Sequence, residues 1–239
     1  MKSIILCAFT CCVFFNLHAQ NFLPAFDLFS KNKPCYITLK DGSKLEGEMN
    51  QLDRRKGLIE EITIKTADKK KHELEAKDIK EMYLPASGFQ KLMDMDNAMM
   101  NVKTYSGEID MEHIKKGYAY FVSTKVILKK EPEDLLMQVV NPGFSERILV
   151  FHDPQAAETA SVGIGGFTVA GGDDKSYYIK VGEVAAYKLK KKDYADAFPE
   201  LFKDCPEILT KYGKKPIWTD FDTHVYECTS GLSEDTPKN

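Results

Sequence analysis

The chain has 239 residues, 43% hydrophobic and 29% charged, with 33 Lys+Arg against 36 Asp+Glu, six Cys and a formal net charge of −3. That mildly acidic balance excludes a general nucleic-acid binder, which needs a basic surface to displace phosphate counterions. The length suffices to bury a core without a dense disulfide framework, as one elongated domain or two small ones.

Lys2 stands before an apolar run from Ile4 to Phe15, and Leu17-His18-Ala19 places a small residue ahead of Gln20. This is the pattern of a secretory signal peptide over residues 1–19. The run is shorter than the ~20 residues that cross a bilayer, so no membrane span is expected after cleavage. Cys7, Cys11 and Cys12 lack the context of a lipidated cysteine. Removing residues 1–19 deletes Lys2 and takes the net charge from −3 to −4. The remaining cysteines, Cys35, Cys205 and Cys228, have no CxxC spacing, which excludes redox and zinc motifs of that type. The expected location is periplasmic or secreted.

Residues 20–33 read as a linker that docks its aromatics, Phe22, Phe26 and Phe29. From Pro34 the pattern turns to strands. Cys35, Ile37 and Leu39 alternate, and after Lys40-Asp41-Gly42 the set resumes at Leu45, Gly47 and Met49. A two-residue Asp41-Gly42 loop would set Ile37 opposite Glu46 and bring charge onto the core face. A three-residue loop pairs Ile37 with Leu45 and is expected instead. Leu58–Lys65, with Ile62 and Ile64 inward, Lys71–Ala76 and Ile79–Leu84 add three strands, so residues 34–86 are predicted to form a small β-barrel. Lys69-Lys70-Lys71 reads as a solvated hairpin tip.

Residues 87–116 are predicted as a helical connector, from the spacing of Phe89, Leu92, Met93 and Met99. Its methionines, with Met95, Met100 and Met111, raise soft copper binding, yet methionine also fills irregular cores. Asp94-Met95-Asp96-Asn97 lacks the glycine and glutamate of a calcium loop. No metal and no cofactor is assigned.

Residues 117–229 are predicted as an antiparallel sheet covered by short helices. Tyr118 to Leu128, Leu135 to Val140 and Arg147 to Phe151 are its first strands, and a hairpin from Ser176 with a two-residue Gly182-Glu183 turn completes about five. Tyr194, Ala197, Phe198 and Leu201 mark a helix that Pro199 should kink or split. Asp204 and Glu207 form a capping box for a second, closed by Gly213. Trp218, Phe221, Val225 and Cys228 make the apolar stripe of a third. Cys228 then points inward and Cys205 begins the preceding helix, so a Cys205–Cys228 disulfide is expected, with two buried free thiols as the alternative. Residues 230–239 read as a disordered tail.

Between the strands, residues 153–175 carry five glycines. Gly163-Ile164-Gly165-Gly166 has neither the Lys-Ser/Thr nor the strand-to-helix context of a phosphate loop. Val162, Gly163, Ile164, Gly165, Gly166 and Phe167 are therefore read as a binding flap with one greasy side. No catalytic residue is assigned, because GxSxG and HExxH are both missing. The His/carboxylate pairings are His152-Asp153 and Asp220/His224, the latter one helical turn apart.

The Asp-Gly turn, Gly47 and three short strands over residues 34–85 resemble the SH3-like or Sm-like barrels. Sm-like proteins bind RNA and carry a second motif near the barrel's end, which Lys77-Asp78-Ile79-Lys80-Glu81 does not match. The tail, Tyr194 to Phe198 through Phe202-Lys203-Asp204-Cys205-Pro206 to Val225-Tyr226-Glu227-Cys228, resembles a group of uncharacterised exported proteins of Gram-negative bacteria. That resemblance implies export and transfers no activity. The expected function is that of an exported, non-catalytic binding or scaffold protein of the bacterial envelope, with a protein or small-molecule partner and no nucleic acid. The alternatives are an enzyme of unrecognised type using His152, His224 or Asp220, and a soft-metal-binding protein.

Overall fold

The computed structural model describes residues 22–87, 109–128, 131–156, 162–164, 167–170 and 174–230. The expected signal peptide, residues 88–108 of the connector and residues 231–239 of the tail lie outside the described residues.

The architecture is α+β. β1 (Pro34–Leu39) and β2 (Lys44–Arg55) pair with Ile37 opposite Leu45, the register of the three-residue loop, and Gly42 holds a φ of +87° inside it. β3 (Leu58–Lys65), β4 (Lys71–Glu75) and, after a 3-10 turn at Ala76–Asp78, β5 (Ile79–Pro85) follow as expected. β6 (Tyr118–Ile127) and β7 (Pro132–Gln138) then extend the same antiparallel sheet, in the order β4-β3-β2-β1-β5-β6-β7. The sheet curls until β7 approaches β3 and the 3-10 turn, giving a half-barrel around Cys35, Ile37, Ile62, Ile64, Ile79 and Met82.

The predicted five-stranded sheet is thus divided. β6 is buried on both faces: Ala119 and Phe121 face the half-barrel, while Tyr118, Tyr120 and Val126 face a middle core. β5 has the same two-sided burial through Met82 and Tyr83, so β6 hides both of its faces by pairing with β5. The later strands β8 (Ile148–His152), β11 (Ser176–Val181) and β12 (Tyr187–Lys190) form a separate sheet in the order β12-β11-β8. β9 (Val162–Ile164) and β10 (Phe167–Ala170) pair with each other.

The two-residue Gly182-Glu183 turn is also corrected. It would set Val181 opposite Val184, whereas Tyr177 pairs with Leu189 and Ile179 with Tyr187. Ala186 leaves the hairpin to bridge the other sheet: its N–H donates to Lys125 O (2.7 Å) and its carbonyl accepts from Ile127 N (2.8 Å). That second pairing lengthens the loop.

Four short helices are described: α1 (Met111–Lys115), α2 (Tyr194–Leu201), α3 (Pro206–Tyr212) and α4 (Phe221–Ser230). Pro199 stays inside α2, which ends at Leu201. The Asp204/Glu207 capping box does not form, because Cys205 and not Asp204 is the N-cap of α3 and no side chain caps its N-terminus. α2 to α4, with the 3-10 turn at Trp218, cover one face of the three-stranded sheet, packing Phe198, Phe202, Trp218, Phe221 and Val225 on Val150, Tyr177 and Ile179, while α1 joins the middle core through Ile114.

The segment before β1 straps the layers together. Phe22 enters the helical core, with ring centroids 5.3 Å from Tyr177 and 5.5 Å from Phe221, while Phe26 enters the half-barrel core. Gln138 accepts from Phe26 N (3.0 Å) and donates to Pro24 O (2.9 Å), so the strap's backbone is satisfied by a side chain of β7.

Where β7 passes to β8, Val140 N donates to Val150 O (3.0 Å), and the chain then turns into Pro142. The side chain of the fully buried Asn141 continues the ladder in place of a peptide group. Its Oδ1 accepts from Val150 N (2.8 Å), and its Nδ2 donates to Ile148 O (2.8 Å) and Phe144 O (3.1 Å). Asn141→Ala leaves a buried donor and a buried acceptor unpaired, and should cost about 3 kcal/mol in urea unfolding.

Candidate functional site

The glycine-rich excursion leaves the body after His152, the last residue of β8, and returns at Ser176, the first of β11. Because β8 and β11 pair with His152 opposite Tyr177, the two ends of the excursion lie side by side. Lys188 on β12 stands opposite Tyr178 and reaches the same place.

Asp153 organises this base. It is 1% exposed, yet its carboxylate has three partners: Ser176 Oγ donates to Oδ2 at 2.6 Å, Lys188 Nζ lies 2.8 Å from Oδ2, and Gln155 N donates to Oδ1 at 3.1 Å. A buried carboxylate is tolerated only when paired and hydrogen-bonded in this way. Lys188 also lies over the ring of Tyr178, 5.1 Å from its centroid. Burial opposes the charge on Lys188, but its hydrogen bond to Asp153 and that carboxylate's charge outweigh it, and the ammonium's pKa stands above its ordinary value.

Further contacts fix the two ends. Trp218 Nε1 donates to Asp174 O (2.8 Å) and Lys191 N to Lys175 O (2.9 Å), tying the returning end to the helical layer. His152 Nδ1 lies 3.6 Å from Asp174 Oδ2, within ion-pair range but beyond a hydrogen bond. On the other side the β2–β3 turn presses against the departing end. Gly57 has φ +81°, and a Cβ there would stand 2.6 Å from Pro154 Cβ, so this contact admits only glycine. A cleft lined by Arg54, Gly57, Gln138, His152 and Pro154 lies along this seam; its cavity of about 20 Å³ holds a water-sized occupant and no organic ligand.

No family model, curated protein or solved structure matches the chain.

Of the expected flap, Val162, Gly163 and Ile164 lie on β9 and Phe167 begins β10; Gly165 and Gly166 lie outside the described residues. The Cys205–Cys228 disulfide is formed, with Cα atoms 5.5 Å apart. Cys35 is the free thiol among the described residues: buried, donating to Gly47 O (2.9 Å), and pushed up to about 12 by burial. The histidines separate. His152 lines the cleft, whereas His224 is fully buried in the helical core, its ring tilted against Tyr212 with centroids 4.2 Å apart and bonded through Nδ1 to Tyr194 Oη at 2.6 Å. Asp220 acts on His224 through its charge.

Among the described residues no group of three or more His, Cys, Asp or Glu is placed to hold a metal ion. The methionines from Met93 to Met100, whose softness raised copper, and Asp94 to Asn97 lie outside those residues, while Met111 packs on the middle core. No helix among the described residues is long and apolar enough to cross a membrane. Sequence reasoning noticed His152-Asp153 but missed Ser176 and Lys188, whose residue types signal nothing until β11 and β12 pair.

Burial holds His224 down to about 4, outweighing the charges of Asp220 and Glu227 that act in the opposite direction. The unfolded chain therefore takes up a proton near pH 6.5 before the folded one does. The stability from neutral His224 is complete above that pH and is lost as pH falls toward 4, on the order of 3 kcal/mol in total. Urea midpoints across this window should drop in the native chain and flatten in His224→Phe. Separately, Lys188→Met strands the Asp153 charge and should cost about 3 kcal/mol, while adding Asp153→Leu should recover part of that loss in a double-mutant cycle.

Proposed function

We propose that the chain is an exported, non-catalytic binding or scaffold protein of the bacterial envelope whose glycine-rich arm engages a protein or small-molecule partner. One observation carries this reading: both ends of the arm are anchored by a buried ionic cluster, while its strands β9 and β10 pair with each other outside the two larger sheets. A rigid base under a separate hairpin presents a recognition element without committing the core to it. The protonated state of Lys188 supports the same view, since an ammonium bound to a carboxylate is no base for the Ser176 hydroxyl.

Export through a signal peptide over residues 1–19 belongs to this proposal. So does the reading of residues 34–86 as an SH3-like unit, which the strand order β4-β3-β2-β1-β5 and the 3-10 turn before β5 support.

Replacing residues 157–172 by a short Gly-Ser connector tests the reading. The thermal midpoint should stay unchanged, because the described members of the Asp153 cluster and of the three cores all lie outside the replaced residues, while partners cross-linked to the intact protein in envelope fractions should no longer be recovered. An identical set of partners from both proteins would overturn it. Mass spectrometry of the native chain should find Gln20 at its N-terminus.

A further inference from the structure

Cys205 precedes α3 and Cys228 lies on the buried side of α4, so their bond joins the last two helices. Arg147, just before β8, reaches that bond. Its Nη1 donates to the carbonyl of Asp204 and lies 3.4 Å from Cys205 Sγ. Of the acids around the pair, the Asp204 side chain is exposed to solvent, and Glu227 is engaged by Lys211 (2.9 Å) and Tyr212 (3.0 Å). A fixed guanidinium therefore faces one sulfur of the pair.

We propose that Cys205–Cys228 is a dithiol-reducible, redox-responsive bond in which Arg147 stabilises Cys205 as the leaving thiolate. The thiolate of an external dithiol attacks Cys228 Sγ, the Cys205–Cys228 bond breaks, and its electron pair departs on Cys205 beside Arg147. The reductant's second thiol loses its proton to solvent and attacks the reductant's own sulfur in the mixed disulfide. This closes the reductant's disulfide and expels Cys228 as a thiolate, which takes up a proton. The reductant gives up two electrons, and the protein gains one thiol and one thiolate.

Two features separate rate from equilibrium. Both cysteines are 4% exposed, so attack waits on opening of the α4 end, which governs the rate. Arg147 governs the equilibrium, because stabilising a thiolate makes its disulfide a stronger oxidant. Cys35 stays silent in such an exchange, its thiol being buried and shifted up to about 12.

The test uses the full chain and dithiothreitol, with peptide-resolved alkylation as the readout. In Arg147→Met the equilibrium constant for reduction should fall about tenfold, a change of about 30 mV, with Arg147→Lys in between. In the Cys228→Ser background, the pH midpoint of Cys205 alkylation by iodoacetamide should rise by about one unit on Arg147→Met. Loss of packing alone exposes the thiol and moves that midpoint down, the opposite direction. An unmoved midpoint overturns the proposal whatever the equilibrium constant does.

Discussion

The chain passes from one sheet to the other at Asn141, and the relation between the two halves depends on that corner. A strand turning into Pro142 has no peptide group left to extend its ladder, and the Asn141 amide supplies one acceptor and two donors in its place. With those bonds made, β8 lies against the end of β7, Val139 bridges Phe151, and Ala186 reaches Val126 from the other side. Two sheets that share no strand are thereby held with their facing side chains in one middle core.

The strap works on the same junction from outside. Phe22 and Phe26 are four residues apart, and each fills a different core. Arg54 donates to the strap's carbonyls at Phe26 (3.3 Å) and Asp27 (3.2 Å) and stacks on Phe29, so β2 clamps the segment that Gln138 already holds. The base of the glycine-rich arm sits where these layers meet: Gly57 of the first sheet touches Pro154, Trp218 of the helical layer holds Asp174, and Lys188 of the second sheet closes on Asp153.

The titratable groups divide by what burial does to them. Cys35 and His224 are kept neutral, one pushed up and the other pulled down, because no opposite charge lies close enough to offset desolvation. Lys188 is buried to a lesser degree and has a carboxylate 2.8 Å away, so it keeps its charge. Replacing such a pair by apolar side chains of the same volume can be neutral or stabilising, whereas removing one partner alone leaves the other charge buried and unpaired.

Short-range pattern settled much of this protein. Alternation at Cys35, Ile37 and Leu39 set the first strand's inward face, the clash of a two-residue loop with that face set the turn, and the helical stripe through Phe221, Val225 and Cys228 brought two cysteines together. It misassigned β6 and β7, because a strand buried on both faces fits either sheet and only its partner's equal burial chooses between them, and it misassigned the turn after Val181, because Ala186 leaves that hairpin to bridge the first sheet. Asp153, Ser176 and Lys188 were unreadable as a unit for a related reason. Their meeting depends on the register of three strands, two of them more than twenty residues from Asp153 along the chain. Local periodicity determines which face of an element seeks the core, whereas the neighbour that covers it, and the polar groups gathered there, are decided only when long-range pairing fixes which faces meet.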